Sequence, residues 1–126
     1  MMQNALRADG KFIFKEWYPY LFNDFGSYFE AMMEYQDEYG RLLAKSILAD
    51  ANGNIMIPFW VDKVDHVNEE RGLIRFLVKD EVFFYNINNK LVYHSNTIYS
   101  GRGDDGLTVE EFLQQFPELR PKPGEF

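Results

Sequence analysis

Two histidines, four serines and one glycine-rich run are the residues from which a reaction centre could be built. His66 and His94 stand apart, neither with a second histidine at ligand spacing, so a three-ligand zinc site would need both plus a carboxylate. His66 reads as solvated in a polar loop, and His94 as ending a strand. A nucleophilic serine would have to be Ser27, Ser46, Ser95 or Ser100, and none lies in a G-x-S-x-G elbow. Carboxylates are plentiful, as in any acidic chain, so no acid–base dyad stands out.

The glycine-rich run is Gly101-Arg102-Gly103-Asp104-Asp105-Gly106. It spells G-x-G-x-x-G between an expected strand and an expected helix. Two aspartates nevertheless stand where the backbone should meet a pyrophosphate, and no second parallel strand follows. Read as a calcium loop with Gly106 at the sixth position, it puts glycines at the first and third positions and Phe112 at the twelfth. Both matches fail. The run reads as a turn leading into a capped helix, and neither a metal nor a cofactor is expected.

What remains points to binding. From Glu16 to Gly40 there is no lysine or arginine, but there are six acids and nine aromatics. The acids are Glu16, Asp24, Glu30, Glu34, Asp37 and Glu38; Trp17, Tyr35 and Tyr39 are among the rings. A solvated helix usually intersperses both signs, so the one-signed stretch suits a basic protein surface. The competing reading makes the rings core and the acids a wet helix face. Asp104 to Glu118 repeats the bias with five acids and no base. The candidate partner-binding residues are thus Glu16, Trp17, Asp24, Glu30, Glu34, Tyr35, Asp37, Glu38, Tyr39, Asp104 and Asp105.

The elements that must position them are read from periodicity. The first ten residues are polar and expected to fray. Ser27 and Glu30 have capping-box spacing, and Tyr28, Met32, Tyr35, Tyr39 and Leu42 recur four and three apart, which predicts an amphipathic helix. Gly40 interrupts it at a cost of about 1 kcal/mol. Leu42–Leu48 is either a continuation of that helix or a strand turning at Asn52–Gly53, with helix narrowly preferred. Ile55–Val61, Leu73–Lys79, Val82–Asn86 and Leu91–His94 read as consecutive antiparallel strands. Polar clusters at 37–40, 50–53, 68–72 and 86–89 are unequally spaced, so they read as hairpin punctuation and not as a repeat. Thr108 and Glu111 form a second capping box before Val109, Phe112, Leu113 and Phe116, and Pro117 stops that helix. Residues 120–126 read as a loose tail.

The totals narrow the reading. A chain of 126 residues, 46% apolar and 17% aromatic, predicts one globular domain spanning 1–126. A net charge of −7 disfavours nucleic acid and anionic lipid. The absence of cysteine fits a reducing cytoplasm, and no apolar run has the length of a membrane span. The expected fold is α+β: N-terminal helices, an antiparallel sheet of three to five strands, and a C-terminal helix packed on it. The expected function is a non-enzymatic, acidic protein-interaction module. In type and composition it is similar to small immunity proteins and antitoxins, which occlude a basic toxin, although no motif carries that likeness. The alternative is a small enzyme or ligand-binding domain with an aromatic-lined pocket.

Overall fold

The computed structural model describes residues 2–95, 106–123 and 126. They fall into two compact units, Met1–Trp60 with Pro121–Phe126, and Val61–Arg120.

The first unit corrects the expected N-terminal helices. It is a three-stranded antiparallel sheet of β1 (Tyr20–Phe25), β2 (Tyr28–Gln36) and β3 (Leu42–Asp50), in that order. The helical stripe competed with a two-residue alternation in the same sequence, and the alternation won. Residues at odd positions (Leu21, Phe29, Ala31, Met33, Ile47 and Ala49) turn to one face and pack with Ile13, Phe14, Tyr18 and Trp60. β2 and β3 pair continuously from Tyr28–Asp50 to Gln36–Leu42, a ladder no isolated helix could match in burial. Complete burial of one side chain such as Ile47 stabilises the fold by about 1.5–3 kcal/mol. Ser27 lies in the β1–β2 turn and caps no helix.

Gly40, an awkward residue inside a helix, is what closes the β2–β3 hairpin. Its φ of 79° is the left-handed region that glycine enters without a side-chain penalty. Gly40 N–H donates to the Asp37 carbonyl at 3.0 Å, and Asp37 N–H donates to the Arg41 carbonyl at 3.0 Å. Asp37 Oδ1 accepts from the backbone N–H groups of Tyr39 and Arg41, each at 2.9 Å.

Ahead of β1 lies an arm that is not frayed. Gln3 bridges to Tyr18 and Leu6 to Phe12. Asn4 ties it down further, its amide donating to the Phe14 carbonyl at 2.8 Å and its carbonyl oxygen accepting from Phe14 N–H at 3.1 Å. The C-terminal tail is likewise not loose throughout, since the Phe126 ring lies 5.3 Å from that of Trp60.

The arm recurs 43 positions later. The bridge Leu6–Phe12 has its counterpart in Ala49–Ile55. The bonds Arg7 N–H to Lys11 carbonyl, Gly10 N–H to Arg7 carbonyl and Ile13 N–H to Ala5 carbonyl reappear between Asp50 and Asn54, Gly53 and Asp50, and Met56 and Leu48. β1 (Tyr20–Phe25) and β4 (Lys63–Asn68) begin and end at the same offset, and each carries an irregularity in its pairing. The chain therefore contains a structural repeat, contrary to the reading from turn spacings. Those spacings misled because the hairpin loops differ in length, four residues between β4 and β5 against two between β1 and β2. The constant part is the arm itself: Asp9-Gly10-Lys11-Phe12-Ile13-Phe14-Lys15-Glu16-Trp17 against Asn52-Gly53-Asn54-Ile55-Met56-Ile57-Pro58-Phe59-Trp60.

The second unit is a five-stranded antiparallel sheet in chain order: β4, β5 (Leu73–Val78), β6 (Glu81–Asn86), β7 (Leu91–His94) and β8 (Leu107–Thr108). The strands read at Leu73–Lys79, Val82–Asn86 and Leu91–His94 hold, whereas β4 and β8 were not foreseen and Ile55–Val61 forms only isolated bridges. Lys79 and Asp80, with φ of 50° and 66°, make the two-residue turn whose twist suits a hairpin. Phe76, Phe83, Phe112 and Phe116 form a ring cluster, with Phe83 and Phe112 5.2 Å apart at 70°.

The C-terminal helix α1 (Val109–Gln115) starts at the expected capping box. Glu111 N–H donates to Thr108 Oγ1 at 3.1 Å, and Thr108 N–H donates to Glu111 Oε1 at 3.0 Å. A 3₁₀ turn (Pro117–Leu119) follows at once. Thr108→Ala should lower stability by about 1 kcal/mol, read as a shift of the urea midpoint at unchanged slope. The bonds from Thr108 hold the Glu111 carboxyl below its ordinary value, outweighing desolvation. A depressed carboxylate contributes stability above its unfolded pKa and loses it as pH falls through the folded one. The Thr108→Ala deficit should accordingly shrink in acid below the ordinary glutamate range.

Candidate protein-interaction surface

Every large hydrophobic side chain that is exposed among the described residues lies between Met2 and Leu43, in the first unit. They are Met2, Leu6, Phe12 and Trp17 on the arm, Tyr20 and Phe22 on β1, Tyr39 at the hairpin tip, and Leu42 and Leu43 entering β3. The aromatic excess noted in the sequence is thus divided. Tyr18 and Trp60 went into the core, while Trp17, Tyr20 and Tyr39 did not.

Register fixes which side chains share a face. Tyr20 is opposite Met32, Phe22 opposite Glu30 and Gln36 opposite Leu42, so the even-numbered residues of β1, β2 and β3 form the face turned away from the core cluster. Along it Tyr20, Phe22, Glu34 and Leu42 are exposed, whereas Glu30, Ser46 and Leu48 are buried. Tyr20 O–H donates to Glu34 Oε1 at 3.3 Å, so a ring and a carboxylate sit together on the exposed part.

The predicted site residues separate into groups. Glu34 and Glu38 are exposed, Glu38 beside Tyr39 at the hairpin tip, and Tyr39 is 76% accessible. Glu30 is a correction: a helix would have placed it on the wet face with Glu34, but in β2 it is 5% accessible. Asp37 is committed to the turn and to Arg41, whose Nε lies 2.7 Å from its Oδ2. Burial pushes the Asp37 carboxyl up, but bonds from Arg41 and Tyr39 hold it below its ordinary value overall. Tyr35 is half-buried with Lys45 Nζ 5.6 Å above its ring. Glu16 and Trp17 lie on the arm, lining a cleft of about 390 Å³ with Tyr18, Pro19 and Met33. Asp24 lies in β1, and its side chain is outside the described structure, as are Asp104 and Asp105 altogether.

The missing lysines and arginines are supplied from across the hairpin. Arg41 sits 5.5 Å over the Tyr39 ring, and Lys45 sits 4.5 Å over that of Trp60. This correction matters for electrostatics, since a run without bases is not a surface without bases. Among the described residues of the first unit, the exposed acids without an ion pair are Glu16, Glu34 and Glu38.

Chemistry finds no comparable centre among the described residues. No group of three histidine, aspartate or glutamate side chains converges to hold a metal ion. A second cleft, of about 360 Å³, lies in the other unit between Glu81, Phe83, His94 and Phe116. His94 stands edge-on to Phe83 there, at 5.2 Å and 88°, as a packed ring. No helix among the described residues is long and apolar enough to cross a membrane. Sequence reasoning missed Phe12, Phe22, Leu42 and Leu43 as surface groups. Tyr20 and Phe22 at alternate positions beside Glu34 become legible only once β1 and β2 are known to pair. Comparison with protein-family models, with curated proteins and with solved structures finds no match.

Proposed function

We propose that this protein is a non-enzymatic interaction module that receives a basic protein on the exposed sheet face and hairpin tip of its first unit. The observation that carries the reading is that, among the described residues, the exposed large hydrophobic groups are confined to Met2–Leu43, where Glu34 and Glu38 also lie exposed. Rings provide desolvated anchors at low entropic cost, and uncompensated carboxylates steer a partner of opposite sign. Tyr20, Phe22 and Tyr39 are the anchors; Glu34 and Glu38 supply the field. The mechanism is occlusion, with carboxylates taking the place of the anions that the partner's lysines and arginines would otherwise bind. A basic toxin of the kind neutralised by immunity proteins and antitoxins is a partner of this description.

The aromatic-pocket alternative has one observation in its favour, the cleft beside Trp17. It is shallow in chemistry, with Glu16 and Lys122 as its charged walls among the described residues. The test is capture from the source cells at low salt with three baits: wild type, Glu34→Lys with Glu38→Lys, and Tyr20→Ser with Tyr39→Ser. A basic protein retained by wild type and lost by both variants supports the reading. A partner retained equally by all three, or no basic partner at all, removes it.

A further inference from the structure

The two copies of the arm differ in what covers their tryptophan. By the same offset that relates the bridge Leu6–Phe12 to Ala49–Ile55, Met2, Glu16 and Trp17 correspond to Lys45, Phe59 and Trp60. Trp60 is wholly buried, with the Lys45 ammonium 4.5 Å over its ring and the rings of Tyr18 and Phe126 at 5.9 Å and 5.3 Å. Trp17 is 47% accessible and has Phe12 edge-on to it at 4.9 Å and 63°. Among the described residues no cation lies over its face, because the position that gives Trp60 its lysine is Met2 in this copy. The position before the tryptophan changes too: Phe59 is buried, whereas Glu16 is exposed without an ion pair. Met2, Glu16 and Trp17 all line the cleft of about 390 Å³, together with Pro19 and Met33.

We infer that this cleft receives a lysine or arginine side chain of the partner, with its cation over the Trp17 ring and beside the Glu16 carboxylate. The inference rests on the reading above for the partner's class, a basic protein, and uses residues apart from Glu34 and Glu38. The covered copy selects the guest, since the same ring position there is already served by an ammonium. The negative face of the indole attracts a cation, and Glu16 adds a charge of opposite sign. Met2, Pro19 and Met33 offer apolar walls to the methylene stem that such a side chain carries. Lys122 also lines the cleft and opposes the guest, whereas Lys11 and Lys15 are not among its described walls. One side chain alone should therefore bind weakly, at about the millimolar level.

The probe is a capped glycine–arginine–glycine peptide, titrated into the full chain to about 20 mM at low salt. Binding is read from the two tryptophan indole N–H signals by NMR. The control is the same peptide with citrulline, which keeps the shape of arginine without its charge. The Trp17 signal should shift saturably while that of Trp60 stays in place, the latter also reporting an intact fold in every variant. The citrulline peptide should bind at least about fivefold more weakly. Glu16→Gln should weaken binding by about three- to tenfold, and Lys122→Gln should tighten it. Met2→Lys puts into this copy the ammonium that the covered copy has, so it should abolish the shift, while Met2→Leu should bind as wild type does. Glu34→Lys with Glu38→Lys should leave the Trp17 shift in place. A Trp17 signal that stays still, or that moves equally with the citrulline peptide, would overturn the inference while leaving the sheet-face assignment standing. So would binding indifferent to Met2→Lys, or a shift lost only on reversal of Glu34 and Glu38, which would place the cation on the sheet face instead.

Discussion

Trp60→Ala should cost about 3–5 kcal/mol, enough to leave the first unit largely unfolded at room temperature. Trp17→Ala, the same change at the equivalent position of the other arm, should cost no more than about 1 kcal/mol. Residue type and place in the arm are alike, so the difference chiefly measures packing. Trp60 is completely buried between Tyr18, Phe126 and the Lys45 ammonium, and its removal leaves a cavity that the sheet cannot close. Trp17 keeps nearly half its surface in solvent and touches chiefly Phe12. Equilibrium urea unfolding, followed by circular dichroism so that neither tryptophan is needed as the probe, gives both values. Equal losses at the two positions would mean that the arms are packed alike, against the account of one covered and one uncovered repeat.

Reversing Glu34 and Glu38 to lysine should slow association with a basic partner by about ten- to a hundredfold at low salt. The dissociation rate should change much less, because both groups lie in solvent. Stability should stay within about 0.5 kcal/mol of wild type for the same reason. The difference between variant and wild type should narrow as salt shortens the Debye length from about 10 Å at 0.1 M to about 3 Å at 1 M. Glu30 does not belong in this set. At 5% accessibility in the middle of β2, its reversal would place a lysine ammonium in the interior, and lost binding would then report lost folding. Stopped-flow association measured against ionic strength separates the two effects. An association rate that is flat in salt for wild type and variant alike would show that these carboxylates do not steer.

In the second unit β5 to β7 and α1 were readable because their cues were local, while β4 and β8 were not read. β-branched and aromatic runs between Lys79–Asp80 and Asn86–Lys90 have one plausible pairing each, and Thr108 with Glu111 fixes the start of α1 by short-range bonds. The first unit was misread because its strands contain ambiguous residues. Glu30, Ala31, Met32, Met33 and Glu34 favour helix by propensity, and the ladder to Ala44–Leu48 overrides it. That error carried into the candidate site: helical spacing grouped Glu30 with Glu34, Asp37 and Glu38, whereas the strand buries Glu30 and the turn consumes Asp37. The acidic, aromatic character of the segment was legible; its division into core and surface was not, since that depends on which residues face Ile13, Phe14 and Trp60. The repeat was hidden by unequal hairpins, although glycine and tryptophan seven positions apart in both arms, Gly10 to Trp17 and Gly53 to Trp60, would have revealed it.

The most direct measurement is hydroxyl-radical footprinting of the full chain with and without its captured basic partner. Tyr20, Phe22, Tyr39 and Leu42 should lose reactivity on binding, while side chains of the second unit (Val61–Arg120) keep theirs. Protection confined to the second unit, with Tyr20 and Tyr39 as reactive in the complex as in the free protein, would contradict the assignment of the exposed sheet face as the binding surface.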